Sequence, residues 1–382
     1  MKILFKAVLG MAAAALLYSR TTAPGQTLSG LSREKFVSEI NGKATDLYTL
    51  TNADGMEVCV TNFGGRIVSI MVPDRDGKMR DVLLGFDNIA NYADKVNTPS
   101  DFGASIGRYA NRINKGLITI DGETIQLPQN NFAHCLHGGP DGWQYQVYDA
   151  VQPDESTVVL TMNSPDGDSN FPGTVKATVT MKLTDDNAID ISYEAVTDKK
   201  TVINMTNHAY FNLSGDPTRR VDDHIMHINA DTFTPVDSTF MTTGEITSVE
   251  GTPMDFRQPA AIGQNIKNFE FEQVKFGNGF DHNWCLNTAG DDTQIAARVY
   301  CPETGICLEV LTDEPGIQFY SGNFLNGSCT GKGGIVYNQS VAFCLETQKY
   351  PDTPNKPEWP SAFLEPGQKY TSHCVYRFST VE

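Results

Sequence analysis

Two neighbouring stretches in the middle of the chain alternate strictly between apolar and polar residues. From Thr174 to Leu183 the odd-numbered positions are apolar and the even-numbered ones are Lys or Thr. The alternation resumes from Ile189 to Tyr193, after the turn Asp185-Asp-Asn187. A period of two belongs to a strand with one buried face, because a helix would scatter these apolar residues around its surface. The two stretches therefore predict paired antiparallel strands on one side of a core.

Similar short runs continue along most of the chain, separated by turn residues. Leu117–Ile120 and Glu123–Leu127 flank Asp-Gly, a pair typical of two-residue hairpin turns. Residues 86–92 and 262–269 favour short helices, and no linker divides the chain after residue 44. We predict an all-β fold, a large antiparallel β-sandwich with a few short helices, as one domain over residues 45–382. Further strand-like runs are Met56–Thr61, Arg66–Val72, Ala296–Leu311 and Cys374–Phe378.

The N-terminal segment differs in composition from the rest of the chain. Two lysines precede a short apolar run, Ala7–Leu17, and small and polar residues follow it. This order is typical of a secretory signal peptide, and the run is too short to cross a bilayer. We predict a signal peptide at residues 1–22, a linker at residues 23–44 and a protein exported to the periplasm. An uncleaved membrane anchor is the alternative.

The net charge of −17 argues against several classes of partner. An acidic protein repels the phosphates of nucleic acids and anionic membranes. A phosphorylated substrate would need a cluster of basic residues. We therefore expect a neutral small molecule as the partner, no nucleic acid, and no membrane once the signal peptide is removed.

Eight cysteines occur, most of them in apolar runs where Cys often serves as a small buried hydrophobe. Cys301 and Cys307, on either side of a turn, are the one local pair considered for a disulfide. Neither Cys-x-x-Cys nor His-Glu-x-x-His is present, so we predict no catalytic metal. The acidic loops Asp166–Asp168 and Asp291–Asp292 could bind Ca²⁺, with solvated acids as the alternative.

An apolar run near the C-terminus, Val341–Leu345, ends in a single carboxylate, Glu346. A carboxylate at the end of a buried strand loses hydration, which raises its pKa and makes it a general base near neutral pH. A strand-end Glu paired with Lys or Arg is the alternative. The proline-rich residues 351–360 that follow are interpreted as one wall of a site.

His208 lies at the end of another apolar run and is followed by Tyr210 and Phe211. Histidine donates or accepts a proton near neutral pH. A polar strand end with aromatic neighbours suits a sugar, because its C–H faces stack on aromatic rings while its hydroxyls need hydrogen bonds. A buried His bonded to backbone is the alternative.

Four further residues are candidates for holding sugar hydroxyls. Arg112 has a fork of donors that can bind two oxygens at once, with a surface ion pair as the alternative. His137 begins His-Gly-Gly, where backbone can approach a ligand or merely form a tight turn. Asp281 follows glycine-rich backbone and is otherwise a turn residue. Gln318 alternates with apolar neighbours, so it faces either a ligand or solvent.

Seven stretches follow one another in order and span nearly all of residues 45–380. They are Asn62-Phe-Gly-Gly65, Gly107-Arg-Tyr-Ala-Asn-Arg112, Leu136-His-Gly-Gly139, Thr206-Asn-His-Ala-Tyr-Phe-Asn-Leu213, Phe280-Asp-His-Asn283, Pro315-Gly-Ile-Gln-Phe-Tyr-Ser-Gly-Asn-Phe324 and Leu345-Glu-Thr-Gln348. Together, and in this order, they resemble the aldose 1-epimerase (galactose mutarotase) family.

The resemblance implies a β-sandwich of the galactose mutarotase kind and the interconversion of α and β anomers of free aldoses such as glucose and galactose. It assigns the general base to Glu346 and the general acid to His208. The family's usual members are cytosolic, so the signal peptide is a departure. Acid–base chemistry of this kind requires no cofactor, and we expect a monomer. The positions that the resemblance places in the sugar site are Asn111, Arg112, His137, Tyr210, Asp281 and Gln318.

Three other functions remain open at this point. A sugar-binding protein on the same fold would need no proton-transfer pair, which the presence of Glu346 and His208 disfavours. A glycoside hydrolase would use Glu346 and Asp281 as paired carboxylates. A hexose-phosphate epimerase is disfavoured, because no basic cluster accompanies the site residues.

Overall fold

The computed structural model describes residues 26–381, which form 28 strands and two short α-helices. The predicted signal peptide at residues 1–22 lies outside the described residues. Within residues 26–381 no helix is long and apolar enough to span a membrane. The helices are α1 (Ile89–Ala93) and α2 (Glu272–Gly277). The strands are β1 (Ser38–Ile40), β2 (Lys43–Thr45), β3 (Leu47–Thr51), β4 (Glu57–Thr61), β5 (Arg66–Pro73), β6 (Met79–Asp81), β7 (Ser105–Ile106), β8 (Arg112–Ile113), β9 (Leu117–Ile120), β10 (Glu123–Gln126), β11 (Cys135–Leu136), β12 (Asp149–Asp154), β13 (Thr157–Ser164), β14 (Val175–Leu183), β15 (Ala188–Thr197), β16 (Thr201–Val202), β17 (Thr206–Asn207), β18 (Ile225–Ile228), β19 (Thr232–Thr234), β20 (Thr247–Ser248), β21 (Ala260–Ala261), β22 (Asp281–Cys285), β23 (Ile295–Tyr300), β24 (Ile306–Thr312), β25 (Gly316–Tyr320), β26 (Cys344–Gln348), β27 (Phe363–Leu364) and β28 (Tyr370–Thr380).

The largest sheet has nine antiparallel strands in the order β12-β13-β14-β15-β28-β24-β23-β18-β21. It includes the pair β14–β15, whose register places Val179 opposite Tyr193. The predicted alternation is confirmed, because the odd-numbered residues of β14 are buried and the even-numbered ones are partly or fully exposed. One face of the sheet therefore covers the core and the other faces solvent.

A second layer covers the buried face of the nine-stranded sheet. It contains a five-stranded sheet, β20-β19-β22-β25-β26, and a four-stranded sheet, β3-β4-β5-β6. Ile191 of β15, Phe319 of β25 and Val58 of β4 belong to one cluster of buried apolar side chains, to which all three sheets contribute. The predicted antiparallel β-sandwich is confirmed, and its second layer carries the candidate site.

The two predicted helices agree only in part with the structure. Helix α1 begins at Ile89 rather than residue 86, because the Asn88 side chain accepts a hydrogen bond from the Asn91 N–H at 2.9 Å and caps the first turn. The stretch 262–269 forms only a 3₁₀ turn at Ile262–Gln264, and the α-helix of this region is α2, after Phe271. These segments are too short for apolar periodicity to decide their conformation.

The prediction of a linker at residues 23–44 is wrong for the described part of that segment. β1 and β2 form a hairpin, and Leu31 and Phe36 are buried in an apolar cluster with Phe86 and Tyr92. Burying one such side chain contributes about 1.5–3 kcal/mol, so two of them suffice to dock an otherwise polar segment. The packed domain thus begins before residue 45.

All eight cysteines are free thiols, which corrects the one disulfide considered from sequence. Cys301 and Cys307 are both buried. The Cys307 sulfur accepts a hydrogen bond from Arg298 Nε at 3.2 Å instead of bonding to Cys301. Both thiols pack as small apolar groups at the ends of a hairpin, as Cys does in many interiors.

Candidate active site

The register of the five-stranded sheet gathers polar side chains from three strands onto one face. Asn283 of β22 lies opposite Gln318 of β25, which lies opposite Glu346 of β26. The neighbouring residues Ile317 and Leu345 point the other way, into the core. Because successive side chains of a strand alternate between faces, apolar residues on one side leave a polar row on the other. The prediction that Gln318 faces away from its apolar neighbours is confirmed.

His208 approaches this row from outside the sheet. It directly follows β17, and its backbone N–H donates to the carbonyl of Ala104 at 2.9 Å. The His208 ring stacks on the Tyr210 ring, with a centroid separation of 4.9 Å and an interplanar angle of 9°. This packing holds His208 Nε2 at 3.6 Å from Glu346 Oε1. The structure therefore brings together the two residues predicted from sequence as proton-transfer groups.

Glu346 is almost completely buried, and its Oε2 atom has no hydrogen-bond partner among the described residues. Burial raises the pKa of Glu346 well above its usual range, because the carboxylate loses its hydration. The negative charges of Asp281 and Asp101 raise this pKa further, and the charge of Arg112 partly offsets them. The side chain is thus a strong proton acceptor with one oxygen left free for a ligand.

Burial acts on His208 in the opposite sense. It lowers the pKa of His208 to about 3, against a partial compensation by a hydrogen bond to its own backbone, and the charge of Arg66 lowers it further. A protonated imidazole in this position is therefore a strong proton donor. Glu346 and His208 differ in the direction of their pKa shifts, as a base and an acid that exchange protons with one substrate should.

His137 adds a second imidazole beside His208, with ring centroids 5.2 Å apart. Its Nδ1 accepts a hydrogen bond from the backbone N–H of Asn111 at 3.1 Å. This bond leaves the proton of the neutral ring on Nε2, which can then donate to a ligand. Burial, followed by the neighbouring charges of His208 and Arg112, lowers the pKa of His137 well below its usual range. His137 is therefore a neutral hydrogen-bond donor.

Arg112 and Asp281 form the opposite side of the site. Asp281 accepts a hydrogen bond from Gln318 Nε2 at 2.8 Å, and burial raises the pKa of its carboxyl while the charge of Arg112 lowers it. Arg112 lies 5.0 Å from the Phe240 ring centroid, and its Nε donates to the side chain of Asn131 at 3.0 Å. Asp281 thus offers acceptor oxygens and Arg112 supplies a buried positive charge next to the Glu346 carboxylate.

Asn111, by contrast, uses its side chain for hydrogen bonds within the protein. Its side-chain oxygen accepts from the N–H of Arg112 at 2.8 Å, and its amide nitrogen lies 3.5 Å from Gln348 Oε1. Asn111 adopts a φ of 64°, in the left-handed region that Asn tolerates better than most residues. In this conformation the N–H of Asn111 donates to His137 Nδ1, and the side chains of His137 and Arg112 face the same space.

The proline-rich segment 351–360 supports the site from behind. Asp352 donates its backbone N–H to the carbonyl of Arg112 at 2.8 Å, and its side chain accepts from the N–H of Asn114, also at 2.8 Å. No residue of this segment lines either of the two cavities near the predicted site residues. The segment therefore anchors the backbone around Arg112, and the interpretation of it as a wall is not supported.

Two cavities open beside the histidines. One has a volume of about 330 Å³ and is lined by Tyr210, Tyr320 and Phe324 among others. The other has a volume of about 370 Å³ and includes His137 and Tyr145 in its lining. Such volumes suit one small molecule. Aromatic rings on one side and polar side chains on the other match the two kinds of surface that a sugar presents.

Asp101 lines both cavities and is a site residue that sequence reasoning missed. A carboxylate oxygen of Asp101 and ring nitrogens of His137 and His208 all lie within 4.8 Å of one another. A lone acid in a loop, far in sequence from both histidines, has no spacing that would reveal this proximity. The only local signal is its position just before the stretch that leads to Arg112.

The same three residues have the donor types of a metal site, but the hydrogen bonds around them favour another use. A metal ligand must present a lone pair, whereas the bond from the Asn111 N–H leaves the Nε2 of His137 protonated. The acidic loops considered for Ca²⁺ are engaged by protein groups. Asp166 pairs with Lys199, and Asp292 with His373. Ca²⁺ binding stays a prediction.

Comparison with known proteins agrees with this geometry. The aldose 1-epimerase family model matches residues 46–377. The chain is 40% identical over 327 residues to the galactose mutarotase of Bos taurus, covering 86% of this chain and 92% of the relative. It is 40% identical over 341 residues to the aldose 1-epimerase of Escherichia coli K12, covering 88% and 96%.

A solved structure gives the same result at the level of the fold. An aldose epimerase homologue from C. elegans superimposes with a TM-score of 0.81 at 31% identity. The superposition covers 89% of this chain and 100% of the homologue. The family match at residues 46–377 includes every strand that carries a candidate site residue. The chain belongs to the aldose 1-epimerase family.

Proposed function

We propose that this protein is an isomerase that interconverts the α and β anomers of free aldoses. The observation that carries the proposal is the separation of 3.6 Å between His208 Nε2 and Glu346 Oε1, both on buried side chains that face the same space. In a cyclic aldose the C1 hydroxyl oxygen and the ring oxygen are bonded to one carbon. A base and an acid this close together are spaced to reach both oxygens of one sugar.

The reaction follows from the chemistry of these two groups. Glu346 removes the proton of the C1 hydroxyl while His208 protonates the ring oxygen, and the C1–O5 bond breaks to give an open-chain aldehyde. Rotation about C1–C2 presents the other face of the carbonyl. The C5 hydroxyl then adds to C1, His208 takes back its proton, and Glu346 returns its proton to O1. Neither group is consumed, and no electrons are transferred to or from the protein.

In the active protonation state His208 is the imidazolium, with a proton on both ring nitrogens, and Glu346 is the carboxylate, with none. This state carries the same number of protons as the form in which both groups are neutral. The pH dependence therefore reports the gain or loss of a proton by the pair, and it is bell-shaped whichever form is more populated. Burial favours the neutral form, and a polar substrate bound against the two groups shifts the balance toward the charged one.

Arg112, His137 and Asp281 hold the substrate in our proposal. Arg112 and the Nε2–H of His137 donate to sugar oxygens, and Asp281 accepts from a hydroxyl. These side chains surround the proton-transfer pair, so that O1 and O5 of the sugar are held against the base and the acid and the reaction becomes effectively intramolecular. Tyr210, stacked on His208, completes the wall.

Polarimetry of fresh α-D-glucose and α-D-galactose tests the proposal. The purified protein should speed the decay of optical rotation without changing its final value, because an isomerase shortens the approach to equilibrium only. Release of free sugar from an aryl glycoside would instead indicate hydrolysis. Failure to accelerate mutarotation of any common aldose, in a protein that binds sugar, would favour a binding protein.

We also propose that the protein acts outside the cytoplasm as a monomer. The support is the basic start and short apolar run of residues 1–22, which are typical of an export signal. N-terminal sequencing of the protein recovered from the periplasmic fraction tests the export, since cleavage should remove about 22 residues. Light scattering on the purified protein tests the monomer.

A further inference from the structure

Asp101 is a carboxylate at the mouth of the site with no role in the proton transfers. It lies on the loop before β7 and lines both cavities. Within residues 26–381 no group donates a hydrogen bond to its side chain, although it is largely enclosed by protein. A carboxylate costs free energy to bury without partners, and this one lines two cavities, so it points to a ligand that supplies the missing hydrogen bonds.

The loop that carries Asp101 is held rigidly by a buried arginine. Arg66 donates to the carbonyls of Ser100 at 3.1 Å and Phe102 at 3.0 Å, the residues on either side of Asp101. A third bond from Arg66 reaches the carbonyl of Gln144 at 2.7 Å. These three hydrogen bonds all go to backbone carbonyls, and Arg66 acts on Asp101 through its charge, which lowers a pKa that burial raises. The backbone on both sides of Asp101 is thus held in place, and the carboxylate oxygens stay free for a ligand.

The position of Asp101 relative to the acid and the base indicates which part of a bound sugar it would contact. On the proposed function, Glu346 lies next to O1 and His208 next to the ring oxygen O5. The ring carbon on the far side of O5 from C1 is C5, which bears the C6 hydroxymethyl group of a hexose. Asp101 lies within 4.8 Å of His208 and His137, whereas the acceptor pair of Asp281 and Gln318 belongs to the sheet that carries Glu346.

We propose that Asp101 accepts a hydrogen bond from the C6 hydroxyl of the substrate and so selects hexoses with a free C6 hydroxyl. This inference rests on the proposed function, because the roles of Glu346 and His208 orient the sugar. A negative charge at this place also rejects sugars with an anionic group on C6, such as uronates and 6-phosphates. Selectivity thus comes from one attractive and one repulsive effect of the same carboxylate.

The test compares galactose with 6-deoxygalactose, which differs only in lacking the C6 hydroxyl, for the wild type and Asp101→Ala. We expect the wild type to favour galactose in kcat/KM by about tenfold or more, the usual worth of a hydrogen bond to a charged group. Asp101→Ala should bring the two sugars to within about twofold of each other. Equal losses of kcat/KM on both sugars in Asp101→Ala would overturn the proposal.

Two further measurements separate the proposal from a structural role and from failure of the proposed function. Asp101→Asn keeps the shape of the side chain and removes its charge, so galacturonate should be epimerised faster by this variant than by the wild type, and an unchanged rate would overturn the proposal. Asp149→Ala, an exposed residue of β12, should leave the preference for galactose unchanged. A wild type that epimerises neither galactose nor 6-deoxygalactose would refute the proposed function itself.

Discussion

Replacing Glu346 by Gln keeps the size of the side chain and removes its ability to take up a proton. The strand β26 keeps its backbone hydrogen bonds, and the amide can still contact O1 of a sugar. Asp281 cannot replace the lost base, because its carboxylate accepts from Gln318 at 2.8 Å and belongs to a different strand. Only the proton transfer is lost.

A positioned general base contributes on the order of 10²–10⁴-fold to a rate. We therefore expect kcat of Glu346→Gln to fall by that factor, about 3–5 kcal/mol in activation free energy, with KM changed by no more than about threefold. Polarimetry of fresh α-D-galactose measures both constants after subtraction of the spontaneous rate. The wild type should show a bell-shaped pH profile, and the variant, which has lost one of the two titrating groups, should lose one of its two limbs.

Glu57→Gln is the matched control, since Glu57 is also a buried carboxylate whose pKa burial raises. It lies on β4, where its Oε1 accepts from the backbone N–H of Leu28 at 2.8 Å, and an amide oxygen can do the same. Its activity should remain within about twofold of wild type, because an amide at this buried position on β4 touches no substrate. A Glu346→Gln variant that keeps more than about a tenth of the wild-type kcat would refute Glu346 as the base.

Stability gives a second readout of the same residue. The folded-state pKa of Glu346 is raised above 4.5, its ordinary value. The stability that Glu346 contributes is thus fully present below pH 4.5 and is lost as pH rises toward the folded pKa, by about 1.4 kcal/mol per pH unit. The free energy of unfolding of Glu346→Gln should therefore improve relative to wild type as pH rises from 4 to 7. If the difference in free energy of unfolding between the variant and wild type does not change with pH, burial does not raise the pKa of Glu346.

Three other changes test the packing of the core, the backbone beside His137 and a charge interaction on the nine-stranded sheet. Phe36→Ala should lower the free energy of unfolding by about 3–5 kcal/mol in a denaturant titration, because Phe36 is fully buried. Gly138→Ala should raise KM and lower Tm, because a Cβ at this residue would lie 2.3 Å from the carbonyl oxygen of Gly107 and push the neighbouring His137 out of place. His373 lies between Asp292 at 2.8 Å and Asp190 at 3.1 Å, and these carboxylates raise its pKa to about 9. Its contribution to stability is full below the ordinary pKa of 6.5 and is lost as pH rises through about 9, so His373→Gln should destabilise the protein at pH 6 and have little effect on its stability at pH 10.

Controls for these changes are available in the same chain. Val37→Ala, at a residue 57% exposed beside Phe36, should leave the free energy of unfolding nearly unchanged. Gly122 shares the positive φ of Gly138, 87° against 79°, but a Cβ there would meet no atom within 4 Å. Similar effects of Gly122→Ala and Gly138→Ala would mean that backbone strain alone is responsible. A His373→Gln effect that persists at pH 10 would contradict the charge interaction.

The strands could be predicted wherever one face is buried, because apolar and polar residues then alternate along the sequence. β14 alternates with period two over its whole length and β15 from Ile189 to Ala195, and the turn between them contains Asp and Asn. The hairpin β9–β10 carries Asp-Gly at its turn and pairs in the register expected for a two-residue loop, with Ile120 opposite Glu123. Such patterns need only neighbouring residues to be interpreted correctly.

The segments that sequence misassigned are those whose structure depends on distant partners. Residues 26–44 contain too few apolar residues to predict packing, yet Phe36 docks onto a surface formed by Phe86 and Tyr92. Asp101 gives no local signal either, because its proximity to His137 and His208 arises only when three separate segments meet. In both cases the decisive contacts join residues far apart in the chain.

The sequence by itself determined the fold class, the family and the residue types of the proton-transfer pair, because period-two burial and ordered motifs are local properties of the chain. The tertiary structure alone decided how these residues act together. It set the 3.6 Å between His208 and Glu346, the buried surroundings that shift their pKa values in opposite directions, and the free carboxylate of Asp101 beside them. Distances and dielectric surroundings depend on the packing of whole sheets, which no short stretch of sequence records.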